Sequence, residues 1–121
     1  MKILKCFKCG AEVEVINECT CKDGINCCGK KMVELNANSS DGAIEKHMPE
    51  YKVVDDTIEV VINHPMDDDH YIERIYLVTS KGSLCYYLKP GDDARASFPY
   101  EAGSTIYSLC NKHGLWSKEV E

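Results

Sequence analysis

The chain has no apolar run approaching the roughly 20 residues that a helix needs to cross a bilayer. Its first residues, Met-Lys-Ile-Leu-Lys-Cys-Phe-Lys, lack the apolar core of a secretion signal. The sequence therefore reads as that of a cytoplasmic protein. Basic charge is also scarce: 14 Lys and Arg stand against 20 Asp and Glu, for a net charge of −6. That balance argues against generic nucleic-acid binding, which needs a basic face. Trp and Phe are few, one and two against seven Tyr, and there are only four His. No amphipathic helix of three turns stands out, and neither does a repeat or a low-complexity tract.

What the chain has in excess is cysteine, eight in 121 residues. In a secreted mini-protein such a count means disulfides; without a secretion signal, close cysteine pairs point to a metal. Six of the eight fall before residue 30. A segment that short cannot build a sufficient apolar core and needs a staple. A polar, turn-rich stretch at residues 36–42 (Asn-Ala-Asn-Ser-Ser-Asp-Gly) reads as a linker, which divides the chain into domains 1–37 and 38–121. Residues Glu12–Val15 alternate polar and apolar, as a short half-buried strand does.

The remainder reads as all-β. Thr57–Ile62, Tyr71–Val78, Ser83–Leu88 and Ser104–Leu109 are rich in β-branched and aromatic residues, and turn signals separate them. The Gly82 turn predicts a hairpin. Strands at this spacing fit a small sandwich or a barrel.

The four histidines all lie in three short motifs. These are Glu45-Lys46-His47, His64-Pro-Met-Asp-Asp-Asp-His70, and Cys110-Asn-Lys-His113-Gly114. A single His is ordinarily a surface residue or a satisfied core residue. Four in this pattern, with Cys110 three residues before His113, point to iron, zinc or copper, for which imidazole and thiolate are fitting ligands. Asp67-Asp68-Asp69 lacks the alternating ligands of a calcium loop and reads as a solvated turn. Trp116 reads as core or site wall, and Cys85 as a small buried apolar residue. In the front segment, Cys6 and Cys9 with Cys27 and Cys28 offer four thiolates, a set that suits zinc or iron. Adjacent cysteines must bend toward one metal, so a distorted geometry is expected there. Cys19-Thr-Cys21 is open to three readings: spare thiols, a disulfide-capable pair, or alternative ligands.

The three histidine motifs resemble the superoxide reductase (neelaredoxin) family. Cys6-Phe-Lys-Cys9-Gly10 and Cys27-Cys28-Gly29 are similar to the desulforedoxin-like domain that heads desulfoferrodoxins. The resemblance spans nearly the whole chain, although the segment between Cys9 and Cys27 is slightly long for the family. It implies a metal-stapled desulforedoxin-like β domain over 1–37, then an immunoglobulin-like seven-stranded β-sandwich over 38–121. It implies a catalytic iron with His47, His64, His70 and His113 in its plane and the Cys110 thiolate on its axis. The implied reaction is one-electron reduction of superoxide to hydrogen peroxide. A second iron, with zinc possible, would sit on Cys6, Cys9, Cys27 and Cys28 as electron relay or structural centre. Lys46 would guide superoxide and help deliver a proton, and Glu45 would occupy the sixth position of the oxidised iron. The implied partners are a rubredoxin-like electron donor and a second copy in a homodimer. The alternative is a non-catalytic iron electron carrier of rubredoxin or desulforedoxin type.

Overall fold

The computed structural model describes residues 1–39 and 44–121, with the side chain of Glu45 outside the description. It divides into two compact units, Met1–Asn36 and Ala37–Glu121.

In the first unit, β1 (Ile3–Lys5) lies between β2 (Glu12–Glu14) and β5 (Val33–Glu34), antiparallel to both. A separate hairpin pairs β3 (Asn26–Cys27) with β4 (Lys30–Lys31). Among its described residues the buried apolar set is Ile3, Cys6 and Met32. Three side chains are far too few to offset the ordering of 36 residues, so this unit depends on its cysteine cluster.

The second unit opens with one helical turn, α1 (Ile44–His47), followed by seven strands. These are β6 (Glu50–Val54), β7 (Thr57–Val61), β8 (Ile72–Val78), β9 (Ser83–Tyr87), β10 (Arg95–Pro99), β11 (Thr105–Cys110) and β12 (Gly114–Glu119). They form a three-stranded sheet ordered β10-β7-β6 and a four-stranded sheet ordered β12-β11-β8-β9. The chain changes sheet after β7, β9 and β10, so the pairs β7–β10 and β8–β11 are non-consecutive. The result is an immunoglobulin-like sandwich. One apolar core joins the inner faces: Ile58 and Val60 of β7, Phe98 of β10, Ile72, Ile75 and Leu77 of β8, and Ile106 of β11. Tyr86 meets Phe98 edge to face at 5.3 Å, and its hydroxyl donates to the Ser97 carbonyl at 3.0 Å.

Three strands of the second unit escape the sequence reading for physical reasons. β6 is an edge strand with mostly exposed residues, so it lacks alternation. β10 buries only Ala96 and Phe98 and ends on a proline. β12 begins inside a motif that reads as a ligand loop. Asn38, within the expected linker, is part of the second unit: its backbone N–H donates to the Leu115 carbonyl at 2.9 Å, and its side chain pairs with Ser117. Linker residues 40–42 lie outside the described residues. Cys85 is half-buried rather than buried, because β9 is the other sheet's edge and turns most of its side chains to solvent.

Candidate metal centres

The second unit gathers its histidines from three places. His47 ends α1, where it is 3 % exposed. The buried Ser108 hydroxyl donates to its carbonyl at 2.8 Å, and the Trp116 ring stacks on its imidazole at 4.9 Å. His64 and His70 lie on the loop between β7 and β8. Reciprocal hydrogen bonds between the backbones of Asp67 and His70, 3.0 and 3.3 Å long, close that loop. The three aspartates within it are exposed, as a solvated turn requires. Cys110 and His113 flank the tight β11–β12 turn, where Cys110 pairs with Gly114. Gly114 has φ 76°, a left-handed conformation that glycine takes at little cost. Glu73 is an extra residue in β8 opposite the end of β11, so a bulge lies beside Cys110.

The imidazoles form a closed ring. In the order His47, His64, His70, His113, neighbouring centroids are 4.6 to 4.9 Å apart, and His47 and His70 face across at 6.1 Å. His113 Nδ1 lies 2.9 Å from His47 Nε2, 3.2 Å from His70 Nε2 and 4.0 Å from Cys110 Sγ. One ring nitrogen carries at most one proton or one lone pair, so it cannot satisfy three such neighbours by hydrogen bonds. A shared cation can. His47, His70, Cys110 and His113 each bring a ligand atom within 4.8 Å of the others. His64 stands just outside that set, its Nε2 3.5 Å from Cys110 Sγ.

Neighbouring groups prepare these ligands. His64 Nδ1 is 2.6 Å from the Pro65 carbonyl, which can only accept, so Nδ1 carries the proton and Nε2 keeps its lone pair. Burial pushes the His64 imidazole down to about 4 and lowers His70 as well, so both are neutral at physiological pH. The backbone N–H of His113 donates to Cys110 Sγ at 3.3 Å, a hydrogen bond that favours the thiolate. Trp116 Nε1 donates to the His113 carbonyl at 3.0 Å, so the expected core or wall residue is both. Asn111 had no assigned role in the sequence. Its Oδ1 accepts from the Tyr71 N–H at 3.0 Å, and its Nδ2 donates to the Asp69 carbonyl at 3.0 Å. It thus clamps the His64–His70 loop to the Cys110–His113 turn. Ser108 was missed too; its only signal was a polar residue where β11 should bury an apolar one. Lys46 is exposed beside His47. The reading of the Glu45 side chain lies outside the described residues.

In the first unit Cys6, Cys9, Cys27 and Cys28 bring their sulfurs within 4.8 Å of one another, without Cys19 or Cys21. The Gly10 N–H donates to the Cys6 carbonyl at 2.8 Å, which curls Cys6–Cys9 into a tight turn. Cys28 and Gly29, with φ 54° and 78°, connect β3 to β4 as a two-residue hairpin of the type that needs both φ positive. This turn brings adjacent cysteines to one place, and Cys28 bears the left-handed strain. The backbone N–H groups of Cys9 and Lys8 pull the Cys6 thiol down to about 6. Hydrogen bonding to Cys9 and Cys6 pushes Cys27 up to about 12. The sulfurs hold one another's protons, and a divalent cation would displace them. Four sulfurs suit a tetrahedral iron or zinc site.

A protein-family model described as Desulfoferrodoxin matches residues 39–119. A desulfoferrodoxin from Syntrophotalea carbinolica is 38 % identical, over 98 % of this chain and 96 % of that one. Another, from Nitratidesulfovibrio vulgaris, is 37 % identical over the same shares. Among solved structures, the superoxide reductase from Treponema pallidum superposes with a TM-score of 0.70, covering 97 % of this chain and 98 % of that one at 24 % identity, a likeness of fold. The superoxide reductase (1Fe-SOR) from Giardia intestinalis gives 0.53 at 30 % identity, covering 61 % of this chain and 95 % of its own.

Proposed function

The chain belongs to the desulfoferrodoxin family, and on that premise we propose that it is a superoxide reductase with a four-His, one-Cys iron in its sandwich domain. The observation that carries this reading is the closed imidazole ring with the Cys110 sulfur against it. The proposed ligands are His47, His64, His70 and His113 through Nε2, Nε2, Nε2 and Nδ1, with Cys110 Sγ as the fifth. Domains 1–37 and 38–121 are proposed as the desulforedoxin-like and superoxide reductase modules.

Superoxide takes up one electron and two protons and leaves as hydrogen peroxide. Iron held by these five ligands would supply that electron, with the Cys110 thiolate as its electron-rich donor. The protein's own groups do the rest. Neutral imidazoles leave the cation's charge uncompensated and so favour an anion. Lys46, exposed on α1, attracts superoxide and can hold a proton for it. The His113 amide fixes the Cys110 sulfur, and Trp116, 1 % exposed, keeps water from the wall behind His47. Glu45 is proposed as the carboxylate that would bind the oxidised iron once product has left.

The four-Cys centre, Cys6, Cys9, Cys27 and Cys28, is proposed to hold iron, or zinc, as electron relay or structural centre. Cys9 and Cys28 are exposed, which suits entry of electrons from a rubredoxin-like donor. A homodimer is proposed, with support from edge strand β6 and its exposed Val53 and Val54. A cytoplasmic location is proposed because thiolate clusters persist in reducing compartments.

Product stoichiometry tests the function. The anaerobically reduced protein, with reductase, rubredoxin and superoxide, should give one peroxide per superoxide and no dioxygen. Half a peroxide with dioxygen released would mean dismutation. No consumption above background would leave an electron carrier.

A further inference from the structure

Cys19 and Cys21 belong to neither ligand cluster, and both are exposed. They lie on the irregular segment between β2 and β3, outside any strand ladder. The turn after them is closed by the Gly24 N–H, which donates to the Cys21 carbonyl at 3.1 Å. Both cysteines line one cavity of about 320 Å³, together with Lys2, Lys31, Glu18 and Met32. Two conditions for joint chemistry are therefore met: shared access and a common space. Residues two apart span at most roughly 7 Å. A disulfide accepts Cα separations of about 4.4 to 6.8 Å, a range that residues two apart reach where the backbone bends and turns their Cβ atoms toward each other.

We propose that Cys19 and Cys21 form a peroxide-reactive dithiol whose substrate is hydrogen peroxide. The thiolate of one attacks the peroxide: an S–O bond forms, the O–O bond breaks, and hydroxide leaves to be protonated to water. The sulfur loses two electrons and becomes a sulfenic acid. The second thiol then attacks that sulfur, an S–S bond forms, the S–O bond breaks, and a second water leaves. In sum, two thiols and one peroxide give one disulfide and two waters. Lys31 places a cationic group on the wall of the cavity in which hydroxide departs, beside Lys2 and the carboxylates of Glu18 and Glu34 that line it too. Lys2 is held there by Glu18 at 2.9 Å and Glu34 at 3.8 Å. The proposal rests on the superoxide reductase reading only for the source of the peroxide, which would be the protein's own product.

The test uses the full-length, metal-loaded protein and adds hydrogen peroxide directly. After a stoichiometric dose, free thiols are alkylated and the digest is analysed by mass. The peptide carrying Cys19 and Cys21 should lose both labels and two hydrogens, while Cys85 stays labelled. Cys21→Ser or Cys19→Ser should stop at a sulfenic acid that dimedone traps on the remaining cysteine. Full labelling of both residues after the dose would overturn the proposal, and so would pairing of either with Cys9 or Cys28. Because peroxide is supplied from outside, a protein that fails to reduce superoxide would sink the functional reading and leave this result standing.

Discussion

His47 shows how much of the site is decided by single contacts. It lies on a four-residue helical turn that has little stability of its own. Two neighbours fix it: the Ser108 hydroxyl on its carbonyl and the Trp116 ring on its imidazole. Ser108→Ala leaves a buried carbonyl without that donor and should cost about 1–3 kcal/mol of stability. Thermal unfolding should show it as a lower Tm together with weaker iron binding; an unchanged Tm would mean that the helical turn holds itself. Lys46, next in the chain, acts through charge rather than packing. Lys46→Ala should slow superoxide capture about tenfold at low ionic strength, and the gap to the parent should narrow as salt rises. Pulse radiolysis across a salt series reads both, and a flat salt response would remove Lys46 from its role. Glu45→Ala should change the absorption of the oxidised centre and leave the first encounter rate nearly intact, a pair of readouts that separates its role from that of Lys46.

At the scale of elements, hairpin turns do the placing. The β11–β12 turn presents Cys110 and His113 together, and the β3–β4 turn presents Cys27 and Cys28 together. Gly29 has φ 78° and no atom within 4 Å of where a Cβ would stand. A side chain there meets conformational strain rather than a clash. Gly29→Val should therefore cost roughly 1–2 kcal/mol and speed chelator-driven loss of metal from the four-Cys site. Gly82→Ala is the control: its turn carries no positive φ and has open space, so it should be tolerated. Equal metal loss in both variants would contradict the turn argument. These local devices are what the sequence made legible. Cys110-Asn-Lys-His113-Gly114 and Cys27-Cys28-Gly29 work within a single turn, so spacing alone points to their chemistry. Closure of the imidazole ring was different, since His47 and His113 are 66 residues apart and meet only once α1 packs against β11 and β12. The Asn111 clamp was hidden for the same reason, its partner Tyr71 being 40 residues away. Edge strand β6 carried too little alternation to read, and β10 alternates but offers only Ala96 and Phe98 before its proline, whereas β7 and β8 bury enough β-branched residues to announce themselves.

Across the whole molecule, charge is divided unevenly. The first unit has six lysines against five carboxylates, a net +1, while the second has eight basic residues against fifteen acidic ones, a net −7. A chain that is acidic overall thus places nearly all of its side-chain negative charge in the second unit. Within that unit, Cys6 and Cys27 share a cavity with Lys8, Lys30, Lys31, Phe7 and Val33, and no carboxylate lines it. Phe7 is 69 % exposed and Val33 51 %. An apolar centre rimmed by cations is what an acidic electron-transfer protein would meet, with charge steering the encounter and the apolar patch holding it briefly. The second unit, at −7, carries the opposite balance, so an acidic partner is expected to dock on the first unit. Lys8, Lys30 and Lys31 are not ligands, so replacing all three with Glu should leave metal content and reactivity toward superoxide intact. It should weaken association with an acidic rubredoxin by roughly tenfold or more at low salt, with the difference shrinking as ionic strength approaches 1 M. Binding measured by calorimetry on the zinc-substituted protein separates docking from electron transfer. If the triple variant binds as tightly as the parent at low salt, electrons enter elsewhere, and the four-Cys centre is left with the structural role that its three-residue core already demands.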